Sequence, residues 1–212
     1  MSSSSTTTSI LSQWTLNGRN YVVTGGSNGI GLATVKALLA HQASVLFCSR
    51  KPCTDLLESL KQDNSTATVL HVACDVSTVE GRRSLVEAAQ TAFAQELHGL
   101  INNVGTNIRK PMTEQTPSEY QTMMKTNVDA AYFLCQDLVG MLESSATTGA
   151  TIVNVSSAAG VQSSGTGAAY GMSKAALNQM TKILACEWAK RNIRVNAVTP
   201  WMTMYVTIQH TS

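Results

Sequence analysis

Short runs of apolar residues alternate along this chain with longer stretches in which apolar residues recur every three or four positions. The short runs predict buried strands, and the helical spacing predicts amphipathic helices. The predicted strands cover residues 20–24, 44–48, 68–73, 100–102, 151–155 and 193–198. The predicted helices cover residues 30–40, 53–61, 79–96, 116–142 and 168–190.

Strands that alternate with helices usually form a parallel sheet with right-handed crossovers. The pattern therefore predicts a Rossmann-type α/β fold, a doubly wound parallel sheet whose strands lie in the order 3-2-1-4-5-6. Ligands bind such sheets at the carboxyl ends of the strands. The residues that follow each strand are therefore the first candidates for a site.

The fifth predicted strand ends in two serines, and the next helix carries a tyrosine and a lysine one turn apart. Tyr170 and Lys174 share one face of this helix. A positive charge beside a phenol favours its ionised form, so Tyr170 is a candidate general acid or base. Ser157 is a candidate hydrogen-bond donor to a carbonyl oxygen on which negative charge develops. Carbonyl reduction needs both groups, although the same spacing of Tyr and Lys is also common on helices without catalytic function.

A glycine-rich turn, TGGSNGIG at residues 24–31, lies between the first predicted strand and the first predicted helix. Gly25 permits a tight turn, and Gly29 and Gly31 permit close approach of backbone or ligand. The free amides and the dipole of the helix start suit a pyrophosphate. A purely structural turn is the alternative, and the position between strand and helix favours the binding site.

A cation follows the second predicted strand, where an NAD-binding unit carries an acid for the ribose 2′-hydroxyl. Arg50 can make charge-assisted hydrogen bonds to a 2′-phosphate. The sequence therefore favours NADP(H) over NAD(H), and a solvated surface arginine is the alternative.

Other polar residues near predicted strand ends and within a helix each have two interpretations. Asp75, with Val76, either meets an adenine ring or caps the following helix. Asn103 and Gly105 either form a plain turn or line the ligand crevice. Asn127 lies in the middle of a helix, where Asn is unfavourable, and faces either solvent or the site.

Composition narrows the classes of function. The chain has 212 residues, of which 43% are hydrophobic and 13% charged, and can bury one substantial core. The net charge of +2 and the absence of a Lys/Arg cluster argue against nucleic-acid binding. The five cysteines follow no metal-type spacing, which predicts free thiols, a reducing compartment and no metal. No stretch is long enough to cross a bilayer or resembles a secretory leader, so we expect a soluble protein without membrane contacts.

The pattern predicts one domain, at residues 14–200, between two short tails. Residues 1–13 are rich in Ser and Thr and poor in apolar side chains, and are expected to be disordered. Residues 201–212 form a second, divergent tail. We expect a cytoplasmic protein, with a plastid as the alternative because the first tail could serve as a transit segment.

The motifs TGGSNGIG, NNVG, Asn127, Ser157 and YGMSK occur in an order that resembles the short-chain dehydrogenase/reductase family from about Trp14 to Pro200. The segments WTLNGR, CSRK, LACEWA and RVNAVTPW resemble its tropinone-reductase-like branch. This resemblance implies an NADP-dependent oxidoreductase that reduces a carbonyl of a small molecule to an alcohol.

The resemblance also implies catalytic roles. Tyr170 would be the proton donor, and Lys174 would favour its ionised form and hold the nicotinamide ribose. Ser157 would orient the carbonyl, in preference to Ser156. Asn127 would anchor a water that links Lys174 to bulk solvent.

The resemblance further implies cofactor contacts. Arg50 would meet the 2′-phosphate, Asp75 and Val76 the adenine, and Asn103 and Gly105 the adenosine ribose. The other implied contacts are Gly25, Ser27, Asn28, Gly29, Ile30 and Gly31 around the phosphates, together with Tyr170, Lys174 and Pro200.

The sequence departs from the family pattern near its end. Trp201 replaces the usual glycine after Pro200, Tyr205 stands where a threonine is expected, and no lid helices or seventh strand are recognisable. The chain is therefore expected to be either an NADP-dependent reductase or a truncated, catalytically impaired fragment that binds NADP or a partner. The resemblance implies a homodimer through the two long helices. A tetramer is not expected, because the second interface of the family uses the seventh strand.

Overall fold

A six-stranded parallel sheet forms the centre of the computed structural model, which describes residues 15–64, 67–145, 147–163 and 165–201. The strands are β1 (Asn20–Thr24), β2 (Ser44–Ser49), β3 (Val69–Ala73), β4 (Gly99–Asn102), β5 (Ala150–Val155) and β6 (Ile193–Val198). Their order is β3-β2-β1-β4-β5-β6, which confirms the predicted fold and strand order.

Helices cover both faces of the sheet. They are α1 (Gly29–Ala40), α2 (Thr54–Asp63), α3 (Val79–Ala92), α4 (Pro117–Met124), α5 (Ala130–Ser144) and α6 (Ala168–Glu187). Apolar residues of α1 and α2 pack on one face of the sheet, and those of α3, α5 and α6 pack on the other. Each face of the sheet therefore has its own apolar core, as a doubly wound fold requires.

Two predicted helices are wrong at their carboxyl ends. The helix predicted over 79–96 ends at Ala92, because Ala94 and Gln95 adopt left-handed backbone angles, with φ of 47° and 72°. The helix predicted over 168–190 ends at Glu187 and is followed by a short 3-10 turn, Ala189–Arg191. Apolar periodicity continues past both ends, so it does not mark where the backbone stops being helical.

The helix predicted over 116–142 begins as expected but is not uniform. Thr116 accepts a hydrogen bond from the amide of Glu119, whose side chain accepts one from the Thr116 amide, and Pro117 is the first helical residue. A π-helical turn, Lys125–Asp129, then separates α4 from α5. Such turns insert one extra residue and frequently occur at functional sites.

The predicted tail at residues 1–13 lies outside the described residues, as do Trp14 and all of the predicted tail at 201–212 except Trp201, Tyr205 included. Among the helices that the structure describes, none is both long and apolar enough to cross a membrane.

Two buried amides fix the pairing of the central strands β4 and β5. Asn102 and Asn154 are register partners, and the Asn102 Nδ2 donates to the Asn154 Oδ1 over 2.9 Å. The Asn154 Nδ2 then donates to the Thr181 hydroxyl on α6, also over 2.9 Å. These side chains form a polar connection between the sheet and the helix that carries Tyr170 and Lys174.

Candidate active site

A cleft of about 1050 Å³ opens at the carboxyl ends of the strands. Most of the residues predicted for the site line it. These are Gly25, Ser27, Asn28, Gly29, Ile30, Arg50, Asp75, Val76, Asn103, Gly105, Ser157, Tyr170, Lys174 and Pro200. Gly31 and Asn127 are not part of the lining, but each contacts residues that are: Gly31 packs against Gly25, and Asn127 bonds to Thr106.

The glycine turn between β1 and α1 is tightly packed. Gly25 and Gly29 have φ of 67° and 52°, which glycine adopts without strain. A Cβ added to Gly31 would overlap the carbonyl oxygen of Gly25 and the side-chain amide of Asn103. Asn28 precedes α1 in an extended conformation, and its side chain makes no cap hydrogen bond. The amides of the first turn of α1 are therefore available to an anion in the cleft.

Thr24 joins the ends of β1 and β4. Its buried hydroxyl accepts hydrogen bonds from the amides of Asn103, over 2.9 Å, and Val104, over 3.1 Å. The Asn103 side chain donates to the carbonyl oxygens of Thr24, over 2.9 Å, and Gly25, over 3.1 Å. Asn103 therefore supports the glycine turn from the neighbouring strand and is more than a plain turn residue. Sequence reasoning missed Thr24, although a hydroxyl that ends an otherwise apolar strand is a usable signal.

The segments after β2 and β3 form one side of the cleft. Arg50 and Lys51 are exposed at its rim. The exposed Asp75 accepts a hydrogen bond from the Ser77 amide over 2.9 Å. Thr78, not Asp75, caps α3, so the capping interpretation of Asp75 is wrong.

Asn127 is buried, with 1% of its surface exposed, so the solvent-facing interpretation is wrong. Its Nδ2 donates to the Thr106 carbonyl and to the Ser173 hydroxyl, each over 2.9 Å. Its Oδ1 accepts from the Thr106 amide over 2.7 Å. The Ser173 hydroxyl in turn donates to the Tyr170 carbonyl over 2.7 Å. The π-helical turn therefore ties the loop after β4 to the first turns of α6.

Tyr170 and Lys174 lie where β5 meets α6. The Lys174 Nζ donates to the Val155 carbonyl over 2.8 Å and lies 5.9 Å from the centroid of the Tyr170 ring. The Ser156 hydroxyl donates to the Lys174 carbonyl over 3.0 Å, whereas the Ser157 hydroxyl accepts from the Ala159 amide over 3.2 Å. Ser156 therefore holds α6 against β5, and this contact favours Ser157 as the serine that meets a ligand.

Burial lowers the pKa of Lys174 from its usual 10.5 to about 8, because the charged ammonium loses solvation. None of the ion pairs among the described residues involves Lys174. A buried cation of this kind suits a site that receives an electron-rich group.

The lowered pKa of Lys174 makes stability depend on pH in a defined direction. Between about pH 8 and 10.5 the unfolded chain keeps the Lys174 proton and the folded chain loses it. The contribution of this group to the free energy of unfolding should therefore be fully present above pH 10.5 and disappear as the pH falls to about 8.

Denaturant unfolding of the parent and of Lys174→Met across this range would measure that contribution. The parent should gain up to roughly 3 kcal/mol relative to the variant as the pH rises. Lys182→Met replaces an exposed lysine on the same helix and should behave as the parent does. Parallel curves for the parent and Lys174→Met would contradict the shifted titration.

The sheet order, the glycine turn and the cleft at the strand ends define a Rossmann-type protein of the nucleotide-binding class. The chain belongs to the short-chain dehydrogenase/reductase family, because the family model described as short chain dehydrogenase matches residues 19–211. Its relatives assign it to the tropinone-reductase-like branch of this oxidoreductase family, as the resemblance in the sequence predicted.

Two plant relatives support the assignment to the tropinone-reductase-like branch. A tropinone reductase homolog of Datura stramonium is 45% identical over 191 residues, which cover 90% of this chain and 70% of the relative. A tropinone reductase homolog of Arabidopsis thaliana, described as chloroplastic, is 43% identical over 191 residues. This match covers 89% of the present chain but spans only 58% of the length of the Arabidopsis relative.

Solved structures agree with the fold. An L-sorbose reductase from Gluconobacter frateurii, complexed with NADPH and L-sorbose, has a TM-score of 0.82 and 34% sequence identity. This chain covers 70% of it, and the match includes 88% of the present chain. The Pseudomonas aeruginosa RhlG/NADP active-site complex has a TM-score of 0.83 and 33% identity over 90% of this chain and 75% of that one.

Proposed function

We propose that this chain is an NADP-dependent reductase that converts a carbonyl group of a small molecule to an alcohol. The observation that carries this proposal is the convergence of Ser157, Tyr170 and Lys174 on the cleft that also contains the glycine turn. An acid, a hydrogen-bond donor and an anion-binding turn in one cleft are the parts that reduction by a nicotinamide cofactor needs.

The cleft fits a polyanionic cofactor. Its glycine turn packs so closely that a Cβ at Gly31 would overlap the Gly25 carbonyl, and the Asn28 side chain does not cap the first amides of α1. Arg50 and Lys51 add positive charge at the rim. The NADP and NADPH in the two solved relatives support the same cofactor. When bound, the nicotinamide supplies the hydride.

The protein's own residues would donate the proton and stabilise the negative charge on the carbonyl oxygen. Tyr170 would donate its phenolic proton to the developing alkoxide. The Lys174 ammonium, which lies 5.9 Å from the centroid of the Tyr170 ring and donates to the Val155 carbonyl, would stabilise the remaining tyrosinate. Ser157 would donate a hydrogen bond to the same oxygen. Asn127 would keep α6 in place against the loop after β4.

The direct test is a fluorescence titration with NADPH followed by turnover on a panel of aldehydes and ketones. Binding together with consumption of NADPH that depends on the carbonyl compound is expected. Tight binding without turnover on any compound would favour the alternative, a protein that binds NADP without reducing a substrate. Failure to bind NADPH would contradict both.

Arg50 should determine the choice between NADPH and NADH. A charge-assisted contact with the 2′-phosphate is worth roughly 1.5–3 kcal/mol, and NADH lacks this group. Arg50→Asp replaces attraction with repulsion, so the variant should bind NADH more tightly than NADPH. Titrations of both cofactors at one salt concentration measure the change.

Arg83→Asp is the matched control, because Arg83 is exposed on α3 and does not line the cleft. This variant should keep the preference of the parent. If Arg50→Asp still prefers NADPH to the same degree, the 2′-phosphate is held by another residue.

A further inference from the structure

Two cysteines lie next to each other at the β2–β3 end of the cleft. Cys48 pairs in register with Val72, and Cys74 follows two residues later, so both side chains are on the same face of the sheet. The Cys74 amide donates to the Ser49 carbonyl over 2.9 Å, which continues the pairing beyond the last residue of β3. Both thiols belong to one apolar cluster, and both line the cleft.

The two thiols differ in exposure and in pKa. A side-chain interaction with Cys48 lowers the pKa of the Cys74 thiol. The same interaction, together with burial, raises the pKa of the Cys48 thiol. Cys74 is half-buried and Cys48 is 1% exposed. Because the thiolate is the nucleophile, Cys74 would react first with a reagent in the cleft, and Cys48 is placed to react second.

Cys48 is also connected to the glycine turn. Its carbonyl accepts a hydrogen bond from the Gly26 amide over 3.0 Å, and its sulfur interacts with the backbone amide of Gly25. Cys74 directly precedes Asp75, which lines the same end of the cleft. The backbones of both cysteines are therefore joined to segments that line the proposed cofactor site.

We propose that Cys48 and Cys74 form a site of reversible oxidation by a hydroperoxide, and that the resulting disulfide weakens cofactor binding. The Cys74 thiolate attacks the hydroxyl oxygen of the hydroperoxide, which breaks the O–O bond, forms a sulfenic acid and releases the other oxygen as an alkoxide, or as hydroxide when the reagent is hydrogen peroxide. Cys48, losing its proton, then attacks the sulfenic sulfur, which forms the S–S bond and releases water. Two thiols lose two electrons in total, and the peroxide gains them.

The disulfide requires the two sulfurs to approach to about 2.05 Å, closer than any hydrogen bond between them. Cys74 lies diagonally from Cys48 across β2 and β3, because the register partner of Cys48 is Val72. We therefore expect formation of the disulfide to shift the strand ends, next to Gly26 and Asp75. The weakening of cofactor binding rests on the proposed function, whereas formation of the disulfide does not.

The first measurement is peptide mass spectrometry after treatment of the whole chain with hydrogen peroxide. We expect a linked Cys48–Cys74 peptide pair that is lost on addition of dithiothreitol. The linkage should be absent from Cys74→Ser and Cys48→Ser and present in Cys53→Ser, which removes a third thiol that lines the same cleft. If the buried Cys48→Ser variant does not fold, Cys74→Ser alone provides the comparison.

Over-oxidation of Cys74 without a link to Cys48, or linkage through Cys53 or the exposed Cys186, would overturn the proposed site.

The second measurement is NADPH affinity of the reduced and the disulfide-containing protein. We expect affinity to fall about tenfold, equivalent to roughly 1.4 kcal/mol, and to recover on reduction.

Equal affinity in the two states would overturn the link between oxidation and cofactor binding. Absence of NADPH binding in both states would instead contradict the proposed function while leaving the disulfide result intact.

A third measurement is labelling of the reduced protein with N-ethylmaleimide. We expect NADPH to protect Cys74 from the reagent, since the thiol and the cofactor would share the cleft. Unchanged labelling of Cys74 in a protein that binds NADPH would contradict the shared location.

Discussion

Replacement of Tyr170 by phenylalanine is expected to lower carbonyl-dependent turnover of NADPH by a factor of about 10² to 10⁴. The variant lacks only the phenolic hydroxyl group, and the aromatic ring that packs near Lys174 remains. NADPH affinity should therefore change little. Steady-state turnover and a fluorescence titration on the same preparation measure the two quantities together.

Tyr132→Phe is a matched control, because the Tyr132 side chain is exposed on α5 and does not line the cleft. It should retain the turnover of the parent. Retention of more than a few per cent of turnover by Tyr170→Phe would assign the proton transfer to another group.

Replacement of Gly31 by alanine is expected to have the second largest effect, on both stability and cofactor affinity. The new Cβ would overlap the Gly25 carbonyl and the Asn103 amide, which already contact each other across the turn. Overpacking of this kind typically costs about 1–3 kcal/mol of stability. Because the displaced groups form and support the glycine turn that is proposed to hold the cofactor phosphates, NADPH affinity should fall by more than about tenfold.

Gly140→Ala is the matched control, since a Cβ at this position on α5 has no neighbour within 4 Å. Alanine should raise stability there by about 0.5–1 kcal/mol, because glycine disfavours helix interiors. Thermal unfolding and NADPH titration of both variants separate the two cases. Similar behaviour of Gly31→Ala and Gly140→Ala would mean that the turn accommodates a methyl group.

The periodicity of apolar residues was enough to predict the sheet. β1 and β6 have the predicted bounds, and the observed strand order is the common Rossmann order that regular alternation with helices and right-handed crossovers allows. Buried parallel strands are short and continuously apolar, so little in the sequence competes with this assignment.

The helix interruptions could not be predicted in the same way. The π-helical turn at Lys125–Asp129 adds one residue to a turn without breaking the apolar pattern. The sequence showed that Asn127 occupies a mid-helix position where Asn is unfavourable. It did not show whether the side chain faces solvent or the site. Its burial is decided by Thr106 and Ser173, which are remote in sequence and come together only in the folded chain.

The contacts between neighbouring strand ends could not be predicted from the sequence either. Thr24 and Asn103 are 79 positions apart, and the contact of Cys48 with Cys74 depends on the β2–β3 register. Candidate residues could be named because each follows a predicted strand. How they support one another depends on register, which a single sequence does not specify residue by residue.

The amide pair Asn102–Asn154 also discriminates against misfolded arrangements of the sheet. Side chains alternate between the two faces of a strand, so a slip of β4 against β5 by one residue would separate the two amides. Each would then be buried in apolar surroundings without its partner, at a cost of about 1–3 kcal/mol per unpaired group. Apolar residues at both positions would tolerate such a slip more easily. The pair therefore makes the native β4–β5 register more stable than the register that is shifted by one residue.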